Sequence, residues 1–288
     1  MPSVVLVVSI KEVKMDKNIL VAISGGRSSA MMSYIIHHSD KYKDYNVVYC
    51  FANTGMERPE TIEFLKNIEK HWHLDIVKIE GVYSEQMGVG VSYNIVDWDE
   101  LDMNAKTFEG AIMHSNKGSY DGLPNSSAPY CSTRLKTIPS KKLGDDIFGV
   151  GNYQLALGYR AEDMPKRISW SEIKADKKRI FPLLTDFDKP ITQKDLNRFF
   201  DNQPFKLGIH SNLGNCELCW KKSNKNLIEV IKYGTRFIDW MIEMEDKYNN
   251  TMYRNKLSIK DIVKMASFPS TAEINFDDND DNCVCTFQ

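Results

Sequence analysis

The chain is 288 residues long, carries a formal net charge of −2, and is 42% hydrophobic and 26% charged. This length suffices for one large α/β domain with a full core and an appended subdomain. The near-neutral charge gives no overall reason to expect a nucleic acid or an anionic membrane as partner, and no apolar run is long enough to span a bilayer. Six cysteines without a secretory signal argue against a disulfide framework, so we expect a cytoplasmic protein.

The most informative segment is an apolar strand, residues 18–23, that passes through a glycine-bearing turn into a helix expected over residues 30–37. The first backbone N–H groups of a helix have no partner within the helix and attract phosphate. Glycine permits close approach to the backbone, and serine adds hydroxyl donors without bulk. The alternative is an ordinary strand-to-helix turn. We expect a phosphate or sulfate to be bound by Ser24, Gly25, Gly26, Arg27, Ser28 and Ser29.

Two further apolar strands end in polar residues. One is expected over residues 47–52, and the other begins at residue 153. Open α/β folds bind ligands where the carboxyl ends of parallel strands meet. We therefore expect the residues that follow these strands to lie at the same sheet edge as residues 24–29.

Five segments, in chain order, resemble a known family. They read SGGRSS, FANTGMERPET, CSTRLKTIP, GYRAEDMPKR and GNCELCWKKS. The first is similar to the PP-loop of the ATP pyrophosphatase and PAPS reductase superfamily. The other four resemble the PAPS reductase family, above all the PAPS reductase-like proteins often encoded by phages. The resemblance covers about residues 18–228. It implies an α/β, adenine nucleotide alpha-hydrolase-like fold, in which a parallel five-stranded sheet is flanked by helices and followed by a mostly helical C-terminal subdomain.

The resemblance also implies an adenine nucleotide ligand, which would be PAPS, APS or ATP. Lys136 (with Arg134) and Arg160 would neutralise sulfate or phosphate oxygens during catalysis. Ser28 stands where many PP-loops have the aspartate associated with a metal-bound nucleotide, which counts against ATP cleavage. Magnesium is expected only if ATP is the substrate. Besides residues 24–29, the implied nucleotide-binding residues are Asn53, Thr54, Gly55, Glu57, Gly158, Arg160, Glu162 and Arg167.

Three cysteines are candidate metal ligands. Cys216 and Cys219 form a Cys-x-x-Cys pair, which can place two thiolates on one metal, and the distant Cys131 can complete a face. From the residues alone, zinc and a redox-inert pair of thiols both remain open. The resemblance extends to APS reductases, in which a Cys-Cys pair precedes the Cys-x-x-Cys, and so implies a [4Fe–4S] cluster. Tyr130 stands here in place of the first cysteine of that pair.

The chain ends in an acidic segment that carries Cys283 and Cys285. A nucleophilic cysteine on a flexible arm could reach a bound sulfonucleotide and then be reduced elsewhere. The competing roles are a fourth metal ligand and an idle tail. The tail also differs from the Cys-Gly-Ile/Leu-His ending of the family's reductases.

The organisation of the chain is expected as follows. An N-terminal extension (1–17) precedes the nucleotide-binding domain (18–185), the helical subdomain (186–275) and the tail (276–288). Residues 81–130 lack periodicity and are expected to be an irregular, substrate-covering insertion. Beyond Phe181 the expected helices are 193–202, capped by Thr192, then 224–233, 236–247 and 259–266.

The expected function is sulfonucleotide reduction. In this reaction a tail thiolate attacks the sulfur of PAPS or APS, and a thioredoxin-like reductant completes the cycle. One alternative is an ATP-dependent adenylating sulfurtransferase that acts on a nucleic acid, as in tRNA thiolation or DNA phosphorothioation. Another is a non-catalytic nucleotide-binding protein stabilised by zinc.

Overall fold

The computed structural model describes residues 17–84, 90–118 and 120–268. Within these residues the chain forms a six-stranded sheet in the spatial order β4-β3-β2-β1-β5-β6. The strands are β1 (Asn18–Ile23), β2 (Asn46–Asn53), β3 (Ile76–Tyr83), β4 (Val91–Ile95), β5 (Gln154–Ala156) and β6 (Arg179–Ile180). The helices are α1 (Arg27–His38), α2 (Pro59–Trp72), α3 (Lys106–Asn116), α4 (Tyr130–Ser132), α5 (Ile138–Phe148), α6 (Trp170–Ala175), α7 (Pro182–Thr185), α8 (Gln193–Asp201), α9 (Asn224–Tyr233), α10 (Ile238–Tyr248) and α11 (Ile259–Ser267).

Strand β1 lies at the centre of the sheet, and all six of its residues are buried. It pairs in parallel with β2 on one side and with β5 on the other. The chain first builds outward from β1 to β3 and later returns to add β5 and β6 on the opposite side. The strand order therefore reverses beside β1, and such a switch point opens a crevice at the carboxyl ends of the strands.

Helices cover both faces of the sheet because successive residues of a strand point to opposite sides. Ile19 and Val21 pack on one face in a core shared with Phe64 and Leu65 of α2. Leu20 points to the other face, where a smaller cluster includes Leu143 of α5. Each fully buried side chain of this size contributes about 1.5–3 kcal/mol relative to an exposed one. The expected α/β class, with a mostly parallel sheet flanked by helices, is confirmed.

Two expectations about residues 81–130 are wrong. Val91–Ile95 forms a sixth strand, which pairs antiparallel with β3, so the expected number of five strands is too low. Lys106–Asn116 forms a helix inside the segment that was expected to be irregular. Strand β4 is short, polar and partly exposed at the sheet edge, and therefore lacks the apolar run that identifies a buried strand.

The C-terminal part is helical, as expected. Helix α9 has the expected bounds, and α8 is capped as expected, because the Thr192 hydroxyl accepts from the N–H of Asp195 at 3.3 Å. Helix α10 begins two residues later than expected. Helices α9, α10 and α11 contribute Val230, Met241 and Ile262 to a second core.

Buried charges join this helical part to the sheet edge. A carboxylate oxygen of Glu217 lies 3.5 Å from Nη2 of Arg58, and the other lies 3.7 Å from Nη2 of Arg236. Arg58 also donates to the carbonyls of Leu213 at 3.2 Å and Gly234 at 2.8 Å. These contacts fix the Cys-x-x-Cys segment against the residues that follow β2.

Several expectations lie outside the described residues. They concern residues 1–16 and the tail with Cys283 and Cys285, so the proposed roles of these two cysteines stay predictions. Among the helices that the structure describes, none combines the length and the apolar character needed to cross a membrane.

Candidate functional site

The loop of residues 24–29 connects β1 to α1 at the switch point. Helix α1 begins at Arg27, three residues earlier than expected, and Gly26 is its N-cap residue, with no side-chain capping bond. Gly25 has a φ of +77°, and a Cβ there would lie 2.4 Å from Cγ2 of Thr61. Gly25 is therefore required by the fold itself.

Gly26 is not required in that way. Its φ of −93° suits any residue, and a Cβ would meet only Ser24 Oγ, at 3.5 Å. Apart from Ser24 Oγ and the atoms of the adjoining residues, no atom of the described residues lies within 4 Å of that Cβ position, and we call this unfilled position at the first turn of α1 the open space at Gly26. That space is where backbone N–H groups and the positive end of the helix dipole favour an anion.

Hydroxyl groups hold this loop in shape. Ser29 Oγ accepts from the N–H of Ser24 at 3.0 Å, lies 3.1 Å from Ser24 Oγ, and donates to the carbonyl of Gly26 at 3.0 Å. Ser33 Oγ donates to the carbonyl of Ser29 at 2.8 Å. The hydroxyl groups of Ser24 and Ser29 thus form hydrogen bonds within the loop, and the loop is preorganised.

The segment that follows β5 packs directly against this loop. A Cβ on Gly158 would lie 3.0 Å from both the carbonyl oxygen of Ser28 and the amide nitrogen of Ser29. Only glycine allows the two backbones to approach so closely. The expectation that the ends of β1 and β5 meet at one edge is therefore confirmed.

Arg27 connects the loop to the helical part. Its guanidinium donates to Asn197 Oδ1 at 2.8 Å and to Ser211 Oγ at 3.2 Å. These bonds join the loop to α8 and to the turn that precedes the Cys-x-x-Cys segment. Arg27 thus positions the loop, and its contact with a phosphate stays a prediction.

Arg160 is a buried cation beside the same loop. Arg160 is 5% exposed, and its Nη1 donates to Gln193 Oε1. The Nε of Arg160 lies 3.9 Å from Glu162 Oε2 and makes no hydrogen bond to it. Glu162 in turn accepts from the N–H of Gln193 at 2.7 Å. Arg167 pairs with Asp163 at 3.2 Å. Of the expected residues, Gly158 contacts the loop directly, and Arg160 is linked to Arg27 through Gln193 and Asn197.

The residues that follow β2 form a hydrogen-bonded network. Asn53 Nδ2 donates to Glu80 Oε1 at 2.6 Å and to the carbonyl of Asp102 at 2.8 Å. Gly55 has a φ of +82°, and a Cβ there would lie 2.3 Å from a carboxylate oxygen of Asp102. Asn53 and Gly55 therefore hold the turn against the segment before α3.

Glu57 and Lys136 form a buried ion pair. Glu57 is fully buried. The Glu57 carboxylate accepts from the N–H of Thr54 at 3.0 Å and from the hydroxyl of Thr54 at 2.9 Å. Lys136 Nζ lies 3.7 Å from Oε1 of Glu57. A single π-helical turn, Thr133–Thr137, joins α4 to α5 and places Lys136 on this side. Such turns widen a helix locally and are frequent at functional sites.

Cys131, Cys216 and Cys219 line one cavity of about 20 Å³, together with Lys136. Such a cavity has room for about one water molecule. Cys216 Sγ lies 3.2 Å from Thr54 Oγ1, and Cys131 Sγ accepts from Trp220 Nε1 at 3.3 Å. The sequence expectation that Cys131 lies near the Cys-x-x-Cys pair agrees with this placement.

These thiols do not form a recognisable metal site. No three His, Cys, Asp or Glu side chains in residues 17–84, 90–118 and 120–268 are arranged to hold a metal ion. A [4Fe–4S] cluster takes four ligands, whereas the described part of the cavity offers three thiols. A fourth ligand would have to come from outside the described residues, and the metal stays a prediction.

Cys50 is separate from this site. It lies in β2, is 1% exposed, and is 3.6 Å from Ser140 Oγ. Burial raises the pKa of its thiol to about 12, so it is protonated at neutral pH. It is a core residue, as expected.

Sequence reasoning missed three parts of the site. The first is Trp220, whose ring nitrogen donates to Cys131. The others are Gln193, which bonds Arg160, and Lys222, which is buried and donates to the carbonyls of Asn212 and Gly214. Trp220 and Lys222 adjoin the Cys-x-x-Cys pair in the sequence, which is a usable signal, but nothing in the sequence links Gln193 to the site.

The nin region protein ORF290 of Escherichia phage lambda, described as uncharacterized, is 30% identical to this chain over 258 residues, or 86% of the chain and 84% of ORF290. The chain belongs to the ORF290 family. The uncharacterized protein MJ0066 of Methanocaldococcus jannaschii is 34% identical over 68 residues, which are 24% of the chain and 14% of MJ0066. No family model matches the chain. The phage relative agrees with the expected likeness to phage proteins.

Proposed function

We propose that this chain binds an adenine nucleotide at residues 24–29 and performs sulfur chemistry on it, with reduction of PAPS or APS as the favoured reaction. The observation that carries the proposal is the open space at Gly26, where α1 begins at the switch point of the sheet. The fold would accept a side chain there, so its absence is best explained by a ligand. The backbone contact at Gly158 supports a preformed binding edge.

Two buried cations can stabilise the negative charge that develops in the proposed reaction. Arg160 lies beside the loop, and Lys136 lies beside the thiol cavity, and both are 5% exposed. A fixed positive charge in a site of low dielectric stabilises developing negative charge far better than the same charge in water. Arg160 donates to Gln193 and lies 3.9 Å from Glu162, and Lys136 lies 3.7 Å from Glu57, so both cations are positioned before a substrate arrives.

The proposed reaction uses a thiolate as nucleophile. The thiolate forms a bond to the sulfur of the sulfonucleotide, the bond from that sulfur to the phosphate oxygen breaks, and the nucleotide leaves with the electron pair. A second thiolate attacks the cysteine Sγ of the resulting S-sulfonate; the bond from Sγ to the sulfonate sulfur breaks, sulfite leaves with the electron pair, and a disulfide forms. A dithiol of the thioredoxin class then reduces that disulfide. The predicted nucleophiles are Cys283 and Cys285.

ATP-dependent sulfur transfer to a nucleic acid is the second candidate. The observation that favours it is the grouping of Cys131, Cys216 and Cys219 around one cavity, since protein thiols can carry sulfur as persulfides. The two candidates have different products. Reduction of PAPS yields sulfite and adenosine 3′,5′-bisphosphate, whereas adenylation by ATP releases pyrophosphate.

Calorimetric titration of the Gly26→Val variant with PAPS, APS and ATP tests the binding site. The valine side chain would fill the open space, so we expect at least about a tenfold loss of affinity, or 1.4 kcal/mol. Gly90→Val is the matched control, because a Cβ at Gly90 meets nothing within 4 Å and Gly90 precedes the distant edge strand β4. Equal nucleotide affinity in the two variants would refute the proposed site.

A further inference from the structure

A large groove lies on the sheet face opposite α1, away from the open space at Gly26. Its volume is about 930 Å³, which is in the range of ligand sites. The partly exposed Leu155 forms its floor above the buried Leu20, on the face of the sheet that α5 partly covers. One wall is α5, represented by Ser140 and Lys141, and the other is the segment that leads into β6.

Positive charge is concentrated in this groove. The lining residues include four cations and one carboxylate, an excess of three positive charges, on a chain whose net charge is −2. The carboxylate, Asp176, is engaged by Arg179, since Arg179 Nε donates to it at 2.5 Å. The remaining cations are Lys141, Lys177 and Lys178, all of which are exposed.

The wall that carries Lys177 and Lys178 is held rigidly. Asp176 Oδ1 accepts from the N–H of Lys178 at 2.9 Å, and the carbonyl of Lys178 accepts from the N–H of Leu155 at 2.8 Å. The carbonyl of Lys177 accepts from Gln154 Nε2 at 3.2 Å. The backbone of the two lysines is thus fixed to β5, while their ammonium groups are left to the groove and the solvent.

The opposite wall and the end of the groove add apolar surface. Tyr153 lines the groove, and its hydroxyl donates to the carbonyl of Lys141 at 3.0 Å. Val150 lines the open end and is 87% exposed. An apolar floor between cationic walls suits a ligand with a flat ring and anionic groups, because the ring can pack on the floor and the anionic groups can pair with the lysines.

We infer that this groove is a second site, which binds a nucleotide unit with its phosphate at Lys177 and Lys178 and its base over Leu155 and Tyr153. Thr137 lines the same groove, and its neighbour Lys136 lines the thiol cavity, so one end of the groove lies near the thiol cavity. The unit is either a free mononucleotide or part of a single strand. The inference goes beyond the proposed function and does not depend on it.

The test uses the full chain with Gly26→Val, which removes binding at residues 24–29 if that proposal is right. The probes are ATP, by calorimetry, and a fluorescein-labelled oligothymidylate of about eight nucleotides, by anisotropy. We expect one of the two probes to bind with a dissociation constant below ~100 µM. The Lys177→Glu/Lys178→Glu substitutions should raise that dissociation constant at least about tenfold. Lys232→Glu/Lys264→Glu is the control, because both lysines are exposed, lie on α9 and α11, and change the net charge equally.

Each outcome decides the inference. Binding of the oligonucleotide alone assigns the groove to a single strand, and binding of ATP assigns it to a free nucleotide. If neither probe binds, or if the two charge-reversed variants bind equally well, the inference is wrong. Thermal unfolding of all variants checks that each one is folded. Since Gly26→Val is present throughout, failure here is distinct from failure of the proposed function.

Discussion

The ion pair between Lys136 and Glu57 gives a prediction whose size follows from the structure. Glu57 is fully buried, and Lys136 Nζ lies 3.7 Å from its carboxylate. Coulomb's law with an effective dielectric constant of ~20 gives about 4–5 kcal/mol of attraction at this distance. Breaking one side of a buried pair costs about 3–5 kcal/mol, because the other charge then stays in a site of low dielectric.

We therefore expect Lys136→Met to lower the free energy of unfolding by about 3–5 kcal/mol. Adding Glu57→Gln should recover most of this loss, since the glutamine carbonyl can still accept from Thr54 without a buried charge. Urea unfolding of the wild type, both single variants and the double variant gives the coupling energy. The reasoning is refuted if the double variant is as unstable as the sum of the two single variants.

Two further predictions concern stability. Gly25→Ala should lower the free energy of unfolding by about 2 kcal/mol or more, because Gly25 has a φ of +77° and a Cβ there would lie 2.4 Å from Thr61. Gly26→Ala should change the free energy of unfolding by less than ~1 kcal/mol. Equal effects of the two substitutions in thermal unfolding would contradict this distinction. Burial raises the pKa of Glu245 from 4.5 to about 7, although its carboxylate accepts from the N–H of Ile259. A raised folded-state pKa stabilises the fold below the unfolded value, and this stability is lost as the pH rises toward about 7. Glu245→Gln should therefore reduce the fall in unfolding free energy between pH ~5 and ~7.5, and an unchanged fall would count against this assignment.

The central part of the fold was predictable from local signals. Strand β1 is an unbroken apolar run, the helix that follows starts at a glycine-rich turn, and Thr192 caps α8 through a capping box with Asp195. In these segments, propensity, periodicity and capping all favour the same structure. The sequence therefore predicts that the strand ends lie at one edge of the sheet.

The errors arose where tertiary contacts determine the structure. Strand β4 is held by pairing with β3, and α3 begins at Lys106 after the N-cap residue Ala105, whose φ of +59° gives no sequence signal for a helix start. The partners of Arg27, Asn197 and Ser211, are likewise far away in the sequence. Local sequence cannot show which partner a long side chain will reach.

The cysteine site was predictable in its members but not in its chemistry. The spacing of Cys216 and Cys219 identified a pair of thiols, and the family resemblance added Cys131. The hydrogen bond from Trp220 and the contact with Thr54 depend on how the helical part packs against the sheet. Thiol spacing alone could not indicate how small the shared cavity is.

The central claim is that an adenine nucleotide binds at the start of α1, and a crystal structure of the chain with PAPS or ATP tests it most directly. The account predicts a phosphate or sulfate group in the open space at Gly26, within hydrogen-bond distance of backbone N–H groups of residues 26–29 and close to Gly158. A nucleotide bound elsewhere, with that space empty at saturating concentration, would contradict it.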